Sequence, residues 1–227
     1  MQLFSFLKKE FFKNVSTLVT GSVISQVVIY ASILILARLF STEAFGLYIL
    51  FSSTTLILKP IATLQYEYAL VLPKKNTDAI NIFGFSIIIL FCFCVLLFFM
   101  ILIFKESIAD FFNLKKLSGF IFLLPLSIFL FASVSIFDFW NNRNSLFKNI
   151  SKGLIVKSTT MSFAQISIGF SSFNYIGLIP GMLLGQLLQL YFMIKVSFKS
   201  IVKLIKKISM KEMFFLAKKY KDIPVFN

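Results

Sequence analysis

Residues 79–104, AINIFGFSIIILFCFCVLLFFMILIF, contain no charged side chain over a length that exceeds one crossing of a bilayer. A transmembrane helix needs about 20 predominantly apolar residues, and only Asn81, Gly84 and Ser86 interrupt the apolar residues here. Comparable runs lie at about Val15–Ala37, Ala44–Tyr66, Leu117–Phe137, Val156–Phe173 and Ile176–Lys195. The sequence therefore predicts an all-α integral membrane protein with about six transmembrane helices.

The composition of the whole chain agrees with a membrane protein. Apolar residues make up 58% of the 227 residues and charged residues 14%, whereas soluble chains average about 45–50% and about 25%. The formal net charge of +14 would suggest a nucleic-acid partner in a soluble protein. Here the basic residues flank the apolar runs, so they indicate membrane topology, and no nucleic-acid partner is expected.

The distribution of Lys and Arg predicts which side of the membrane each loop faces. With the amino terminus in the cytoplasm, the outside loops hold only Arg38, Lys105, Lys115 and Lys116. Lys59 lies within a span, and the other basic residues fall on the cytoplasmic side, which Lys and Arg favour. We therefore expect a multi-pass protein of the cell (inner) membrane with both termini in the cytoplasm.

Two amphipathic segments flank the membrane lobe predicted for residues 15–195. Residues 1–14 interleave apolar side chains with Lys8, Lys9 and Lys13, which is typical of a short helix in the membrane interface. Residues 196–227 form a basic cytoplasmic tail, with a helix predicted over 199–219. Its apolar face holds Ile201, Leu204, Ile205 and Ile208, and its basic face holds Lys199, Lys203, Lys206, Lys207 and Lys211. Anionic membrane lipids are the expected partners of this tail.

Small and polar residues recur at helical spacing in three predicted spans. These stripes are Thr17, Gly21 and Ser25 with Gln26 beside them, then Ser158, Ser162, Gln165, Gly169 and Ser172, and then Gly177, Gly181, Gly185 and Gln189. Each stripe indicates either helix packing, as for the GxxxG motif at Gly181–Gly185, or the wall of a water-accessible path. Only Ser-Phe-Asn-Tyr separates the last two spans, which predicts an antiparallel hairpin. Pro125 and Pro180 are candidate kink sites.

Lys59 is the one basic residue near the middle of a predicted span. It shares a helix face with Ser52, Thr55, Thr63 and Tyr66. A Lys at the helix centre costs about 2.5–3.5 kcal/mol to insert, so such residues usually face a cavity or a partner. The alternative is that its long stem reaches the cytoplasmic interface. The sequence leaves both readings open.

Three stretches resemble the polysaccharide-biosynthesis (O-antigen/capsule repeat-unit) flippases of the multidrug/oligosaccharidyl-lipid/polysaccharide exporter superfamily. Residues 36–48, LARLFSTEAFGLY, resemble the first loop and the entry to the second span of that family. Residues 60–73, PIATLQYEYALVLP, followed by a polar turn and Asp78-Ala79, are similar to its next landmark. Residues 218–224, KKYKDIP, resemble the linker before its seventh helix. Where the family often carries Arg before the Tyr-Glu pair, this chain has Gln65.

The resemblance implies a fold of two six-helix lobes around a central cavity, of which this chain forms the amino-terminal one. It further implies translocation of undecaprenyl-diphosphate-linked oligosaccharide repeat units across the cytoplasmic membrane for surface polysaccharide synthesis. Cations in the cavity would suit the diphosphate. The substrate-binding residues that it suggests are Lys59 and Arg38 for the anionic groups, and Gln26, Gln165 and Gln189 for the sugars. A separately encoded second half, or a second copy of this chain, is then the expected protein partner.

Other functions stay open at this point. They are a drug or cation exporter of the same superfamily, a membrane scaffold, or a truncated non-functional remnant. A membrane enzyme is disfavoured because the chain has nine acidic residues, no His and no DxD motif. No catalytic residue, metal or cofactor is expected. Cys92 and Cys94 are two residues apart on a helix and point to different faces, so a shared metal or a disulfide is not expected either.

Overall fold

In a computed structural model, which describes residues 2–111, 120–171 and 177–221, the chain is almost entirely α-helical. The helices are α1 (Gln2–Leu39), α2 (Thr42–Thr63), α3 (Asn76–Phe111), α4 (Leu124–Arg143), α5 (Phe147–Gly169), α6 (Leu178–Ile205) and α7 (Met210–Lys219). Short 3-10 helices at Tyr66–Val71 and Ile121–Leu123 precede α3 and α4. The described residues include no strand. The predicted fold class, an all-α integral membrane protein, is confirmed.

Five helices of the described chain are long and apolar enough to cross a membrane. They cover Phe12–Leu39, Thr42–Thr63, Asn76–Phe104, Ile121–Arg143 and Leu178–Ile205, and they correspond to five of the six predicted spans. The remaining predicted span, 156–173, falls on α5, which has 23 residues and begins earlier, at Phe147. α5 is less apolar, because it carries Lys148, Lys152 and Lys157. Its crossing of the membrane stays a prediction.

Helix α1 is continuous from the amino terminus into the first span. The residues predicted as a separate interfacial segment, 1–14, join that span in one helix of 38 residues. Among the residues with described side chains, the candidate span of α1 covers 28 residues from Phe12. The structure does not describe the side chains before this residue, so the interfacial location of the segment stays a prediction.

Two other boundaries differ from the predicted ones. α2 ends at Thr63 rather than Tyr66, because Leu64 and Gln65 adopt left-handed backbone conformations, with φ of 48° and 56°. α4 continues to Arg143, past the predicted end at Phe137. The predicted start of that span, at residue 117, lies outside the described residues.

The prolines predicted as kink sites do not interrupt their helices. Pro125 and Pro180 stand in the first turns of α4 and α6. Amide groups there have no partner within the helix, so a proline removes no helical hydrogen bond. The prediction of kinks at these residues is wrong. The break that the structure does contain lies in α3, at Phe104, with φ −106° and ψ 17°.

The basic tail is not one helix. α6 runs on to Ile205, residues 206–209 break the helical path, and α7 begins at Met210. Ile205, predicted on the apolar face, is 50% exposed. The prediction of a single basic helical face is therefore wrong, although the five lysines predicted on it are all exposed: Lys199, Lys203, Lys206, Lys207 and Lys211.

The chain divides into two compact units. The first unit consists of Met1–Phe45 and Trp140–Phe198, and the second of Gly46–Phe139 and Lys199–Asn227. In the first unit α5 packs against both α1 and α6. In the second unit α3 packs against the 3-10 helix Tyr66–Val71 and against α7.

Within the first unit, α1 and α5 run in the same direction. The Ser162 hydroxyl donates a hydrogen bond of 3.0 Å to the Ser32 hydroxyl, across an offset of 130 residues. The same offset separates Gly21 from Ser151, its neighbour at the other end of the contact. A constant offset means that the two helices progress together along the chain. If successive spans cross the membrane in alternating directions, the first and fifth spans must run in the same direction, as α1 and α5 do.

Helices α5 and α6 run in opposite directions. Gly181 lies against Gln165, and further along α6 Met193 lies against Gly153. Residue numbers therefore rise along α6 where they fall along α5, and the predicted antiparallel hairpin is confirmed for the described residues. The predicted connection, residues 172–175, lies outside them, as does Ser172 of the predicted stripe.

In the second unit, aromatic rings fill the space between the helices. The Phe83 and Phe137 rings join α3 to α4 edge to face, with centroids 5.2 Å apart. The Tyr66 ring meets Phe85 of α3 in the same way, at 5.0 Å. Such pairs contribute about 0.5–1.5 kcal/mol beyond the burial of their area.

Candidate functional site

The residues predicted to contact a substrate lie in both units. Gln26, Arg38, Gln165 and Gln189 belong to the first unit, and Lys59 belongs to the second. Gln26 and Arg38 are exposed, and Lys59 is half-buried. Gln165 and Gln189 are 2% and 1% exposed. The structure thus brings two of the three glutamines into one helix interface, whereas it leaves Gln26 and Arg38 of α1 accessible.

Gln165 connects α5 to the start of α6. Its side-chain amide donates a hydrogen bond of 2.9 Å to the carbonyl oxygen of Leu178. Gly181 of α6 packs on the stem of the same side chain, because a glycine there leaves room for it. The small residues of this stripe therefore contribute to helix packing, one of the two readings of the sequence. A contact between Gln165 and a sugar stays a prediction.

Gln189 lies in the same interface with a free acceptor. Its side-chain oxygen is buried and has no hydrogen-bond partner among the described residues, and the same holds for Gln186, one turn earlier. A buried acceptor without a donor costs about 1–3 kcal/mol. Two amide oxygens on α6 are therefore available to a hydroxyl donor. Sequence reasoning missed Gln186, because it does not fall on the stripe from Gly177 to Gln189.

The sequence analysis did not predict a second buried polar group of the first unit. Asn141, which is fully buried, donates a hydrogen bond of 3.0 Å to the Ser197 hydroxyl and accepts one of 3.2 Å from the Asn149 side chain. This network ties together α4, α5 and α6. The predicted span ended at Phe137, so Asn141 was expected outside it. Only the continuation of α4 to Arg143 places Asn141 in a helix.

Lys59 lies on a face of α2 that is only partly closed, since Ser52 on this face is half-buried. Thr55 and Thr63 on this face are fully buried, and Thr55 shares a hydrogen bond of 3.0 Å with Ser127 of α4. No hydrogen bond or ion pair joins Lys59 to another residue of the described chain. The side chain is therefore available to an anion. Both predictions for it, a cavity and the membrane interface, stay open.

The turn after α2 is strained. Leu64 and Gln65 both have positive φ, and such a conformation costs about 1–3 kcal/mol for a residue other than glycine. The turn carries Tyr66 and Glu67 into the interior, where they are 8% and 2% exposed. Neither residue 64 nor 65 is a glycine or asparagine, so no sequence signal marked the turn.

Tyr66 and Asn81 hold the carboxyl-terminal helix. The Tyr66 hydroxyl donates a hydrogen bond of 3.1 Å to the carbonyl oxygen of Ala217 in α7. Burial raises the pKa of Tyr66 above its usual value of 10.0. Asn81 donates to the carbonyl of Lys207 at 3.2 Å and accepts from the amide of Ser209 at 2.8 Å. One buried side chain thus satisfies two backbone groups within the break between α6 and α7.

An apolar cavity of about 380 Å³ opens between α3 and α4 in the second unit. It is lined by Phe91, Cys94, Val95, Phe98, Phe99, Pro125, Leu126 and Phe129. These side chains offer no group for a polar ligand. Elsewhere in the described ranges, no three His, Cys, Asp or Glu residues come close enough to hold a metal ion.

Long apolar helices and polar residues gathered at helix contacts define a multi-pass integral membrane protein. The family model described as polysaccharide biosynthesis protein matches residues 35–221. The chain belongs to this family and has a role in polysaccharide biosynthesis or transport, which confirms the resemblance found in the sequence. Comparison with curated proteins and with solved structures gave no match.

Proposed function

We propose that the chain forms one six-helix lobe of a flippase that moves lipid-linked oligosaccharide repeat units across the cytoplasmic membrane. One observation carries the proposal: in a member of a polysaccharide biosynthesis family, α1 and α5 run parallel while α5 and α6 run antiparallel. Alternating spans of this kind are what one lobe of a transporter requires, and the family supplies the link to polysaccharide. Transport without chemical conversion is accordingly the proposed activity.

The accessible cations favour an anionic substrate. Lys59 is half-buried and makes no ion pair with the described residues, and Arg38 is exposed in the last turn of α1. A diphosphate that links lipid and sugar would neutralise such cations, and the attraction grows where water is excluded. Lys59 and Arg38, each taken by itself, are the residues that we propose for contact with the diphosphate.

Amide groups suit the sugar portion of the same substrate. Gln26 is exposed on α1, and Gln189 carries a buried oxygen that lacks a donor. Sugar hydroxyls donate and accept hydrogen bonds, so they match both ends of a glutamine side chain. Gln165 serves the sugar only if its bond to Leu178 opens during transport.

The proposed flippase lies in the cell (inner) membrane with both termini in the cytoplasm. One lobe lines one side of a cavity, so the proposal also requires a second lobe, supplied by a further half or by a second copy. Size measurement in mild detergent distinguishes a chain that pairs with itself from one that needs another partner.

Deletion of the gene tests the proposed activity. We expect loss of surface polysaccharide and accumulation of sugar-lipid precursors in the cytoplasmic leaflet, both reversed by the intact gene. Lys59→Met should fail to restore surface polysaccharide, Lys59→Arg should restore it in part, and Lys74→Met, at an exposed control position, should restore it fully. Normal surface polysaccharide in the deletion strain would contradict the proposal, and drug sensitivity there would favour an exporter of drugs.

A further inference from the structure

Helix α7 presents two different faces. Met213, Leu216 and Ala217 are buried on one side. On the other side Phe214 and Phe215 are 63% and 62% exposed. Two neighbouring exposed aromatic residues are unusual on a surface that water alone would cover.

The buried face fixes α7 beside the beginning of α3. Met213 packs on Gly84. Phe214, although mostly exposed, also meets α3 at its edge, with its ring centroid 6.2 Å from that of Phe85. Gly84 lies eight residues after Asn76, the first residue of the candidate span in α3, and eight residues rise about 12 Å along a helix. α7 therefore lies near one end of a candidate span, at the depth where acyl chains meet headgroups.

Lysines surround the exposed aromatic residues. Residues 199–221 contain eight lysines and a single acidic residue, Glu212. All eight are exposed, and Lys211, Lys218 and Lys219 belong to α7 itself. The charge of this surface is complementary to a layer of phosphate groups.

We propose that α7 is a docking surface for anionic phospholipid headgroups. Phe214 and Phe215 enter the boundary of the acyl chains, and the lysines of α7 bind the phosphates above them. The hydrogen bonds of Asn81 and Tyr66 keep the buried face on α3, so that the aromatic face stays turned toward lipid. This role is separate from the proposed transport, because it uses none of the residues assigned to the sugar-lipid substrate.

The experiment uses the full chain in nanodiscs with Phe215→Trp as a reporter. Phe215 is exposed, so the new indole leaves the packing of α7 intact, and the chain without the reporter supplies the background of the buried Trp140. Lipids brominated on their acyl chains quench a nearby indole. At equal mole fractions, brominated phosphatidylglycerol should quench the reporter more strongly than brominated phosphatidylcholine, with a local enrichment of about fivefold or more.

Charge variants test whether the lysines of α7, rather than the net charge of the protein, cause the preference for the anionic lipid. The double variant Lys218→Gln/Lys219→Gln should lose most of this preference. The matched control Lys148→Gln/Lys152→Gln removes the same charge from exposed positions of α5 and should keep it. Equal quenching by the two lipids overturns headgroup recognition, and absence of quenching by either overturns the location of α7 at the membrane. Neither outcome depends on whether the chain transports a sugar.

Discussion

The first unit brings its helices together through residues with little or no side chain, whereas the second fills the space between its helices with aromatic rings. Gly21 of α1 lies so close to α5 that an added Cβ would be 2.9 Å from the Ser151 Cα. In the second unit Phe83 meets Phe137 across 5.2 Å. Close approach of backbones tolerates no added atom, but rings that meet at their edges shift with less penalty. The two units should therefore respond differently to substitution.

The largest effect is expected where the backbones are closest. A Cβ at Gly185 would lie 2.8 Å from the Lys157 carbonyl oxygen and 3.1 Å from the Met161 amide nitrogen. Gly185→Val should therefore lower the free energy of unfolding by about 3 kcal/mol. Gly46→Val is the control, because nothing lies within 4 Å of a Cβ there, and it should stay within about 0.5 kcal/mol. Thermal unfolding in detergent compares them. Equal unfolding midpoints for the two variants would contradict the expected difference between the two units.

The next effect concerns the hydrogen bonds of Asn81 in the second unit. Asn81→Ala leaves the Lys207 carbonyl and the Ser209 amide without partners, which should destabilise the break by about 2 kcal/mol. Trypsin should then cleave after Lys206 or Lys207 faster than in the unmodified chain, while Asn142→Ala, an exposed control, leaves the rate unchanged. An unchanged rate in Asn81→Ala would mean that the hydrogen bonds of Asn81 do not hold the break and α7 in place.

The two glutamines in the interface between α5 and α6 are expected to respond differently to substitution. Gln165→Leu removes a hydrogen bond to Leu178 and should cost about 1 kcal/mol. Gln189→Leu removes a buried oxygen that has no partner among the described residues, so it should be neutral or stabilising. Measured surface polysaccharide adds a second readout. Full restoration by Gln189→Leu would exclude Gln189 from sugar binding.

A loss similar to that of Gln165→Leu is expected at Tyr66. Tyr66→Phe loses one hydrogen bond to Ala217, which contributes about 1 kcal/mol. Because burial raises the pKa of Tyr66 in the folded protein, its contribution is fully present below the unfolded pKa of about 10. It is lost as the pH rises through the raised pKa of the folded state. Unfolding midpoints at pH 8 to 11 should therefore fall less steeply in Tyr66→Phe. Parallel pH profiles would contradict the assignment.

Much of the first unit was predictable from the sequence, because spacing alone encodes it. The stripe through Ser158, Ser162 and Gln165 requires only a helical period, and the structure turns these residues inward. The GxxxG motif likewise predicted a close helix contact, which α6 makes with α5. The substrate-binding role of the glutamines was not decided by spacing, since packing and binding use the same residue types.

The second unit shows where sequence reasoning stops. The left-handed turn at Leu64 and Gln65 has no glycine to announce it. The break between α6 and α7 depends on Asn81, which precedes it by more than a hundred residues. The spacing of the apolar residues in the tail predicted one continuous helix. The residue that bonds to the break, Asn81, lies in α3, so the tail's own sequence did not indicate the break. Long-range hydrogen bonds of this kind leave no local pattern.

The passage of α5 through the membrane beside α1 is the central claim, and labelling of single cysteines tests it most directly. In a chain with Cys92→Ala and Cys94→Ala, cysteines at Lys13→Cys and Lys148→Cys should react with an impermeant maleimide from one side of the membrane. Cysteines at Ser41→Cys and Ser171→Cys should react from the other side. Labelling of positions 148 and 171 from the same side would contradict a spanning α5, and with it the six-helix lobe.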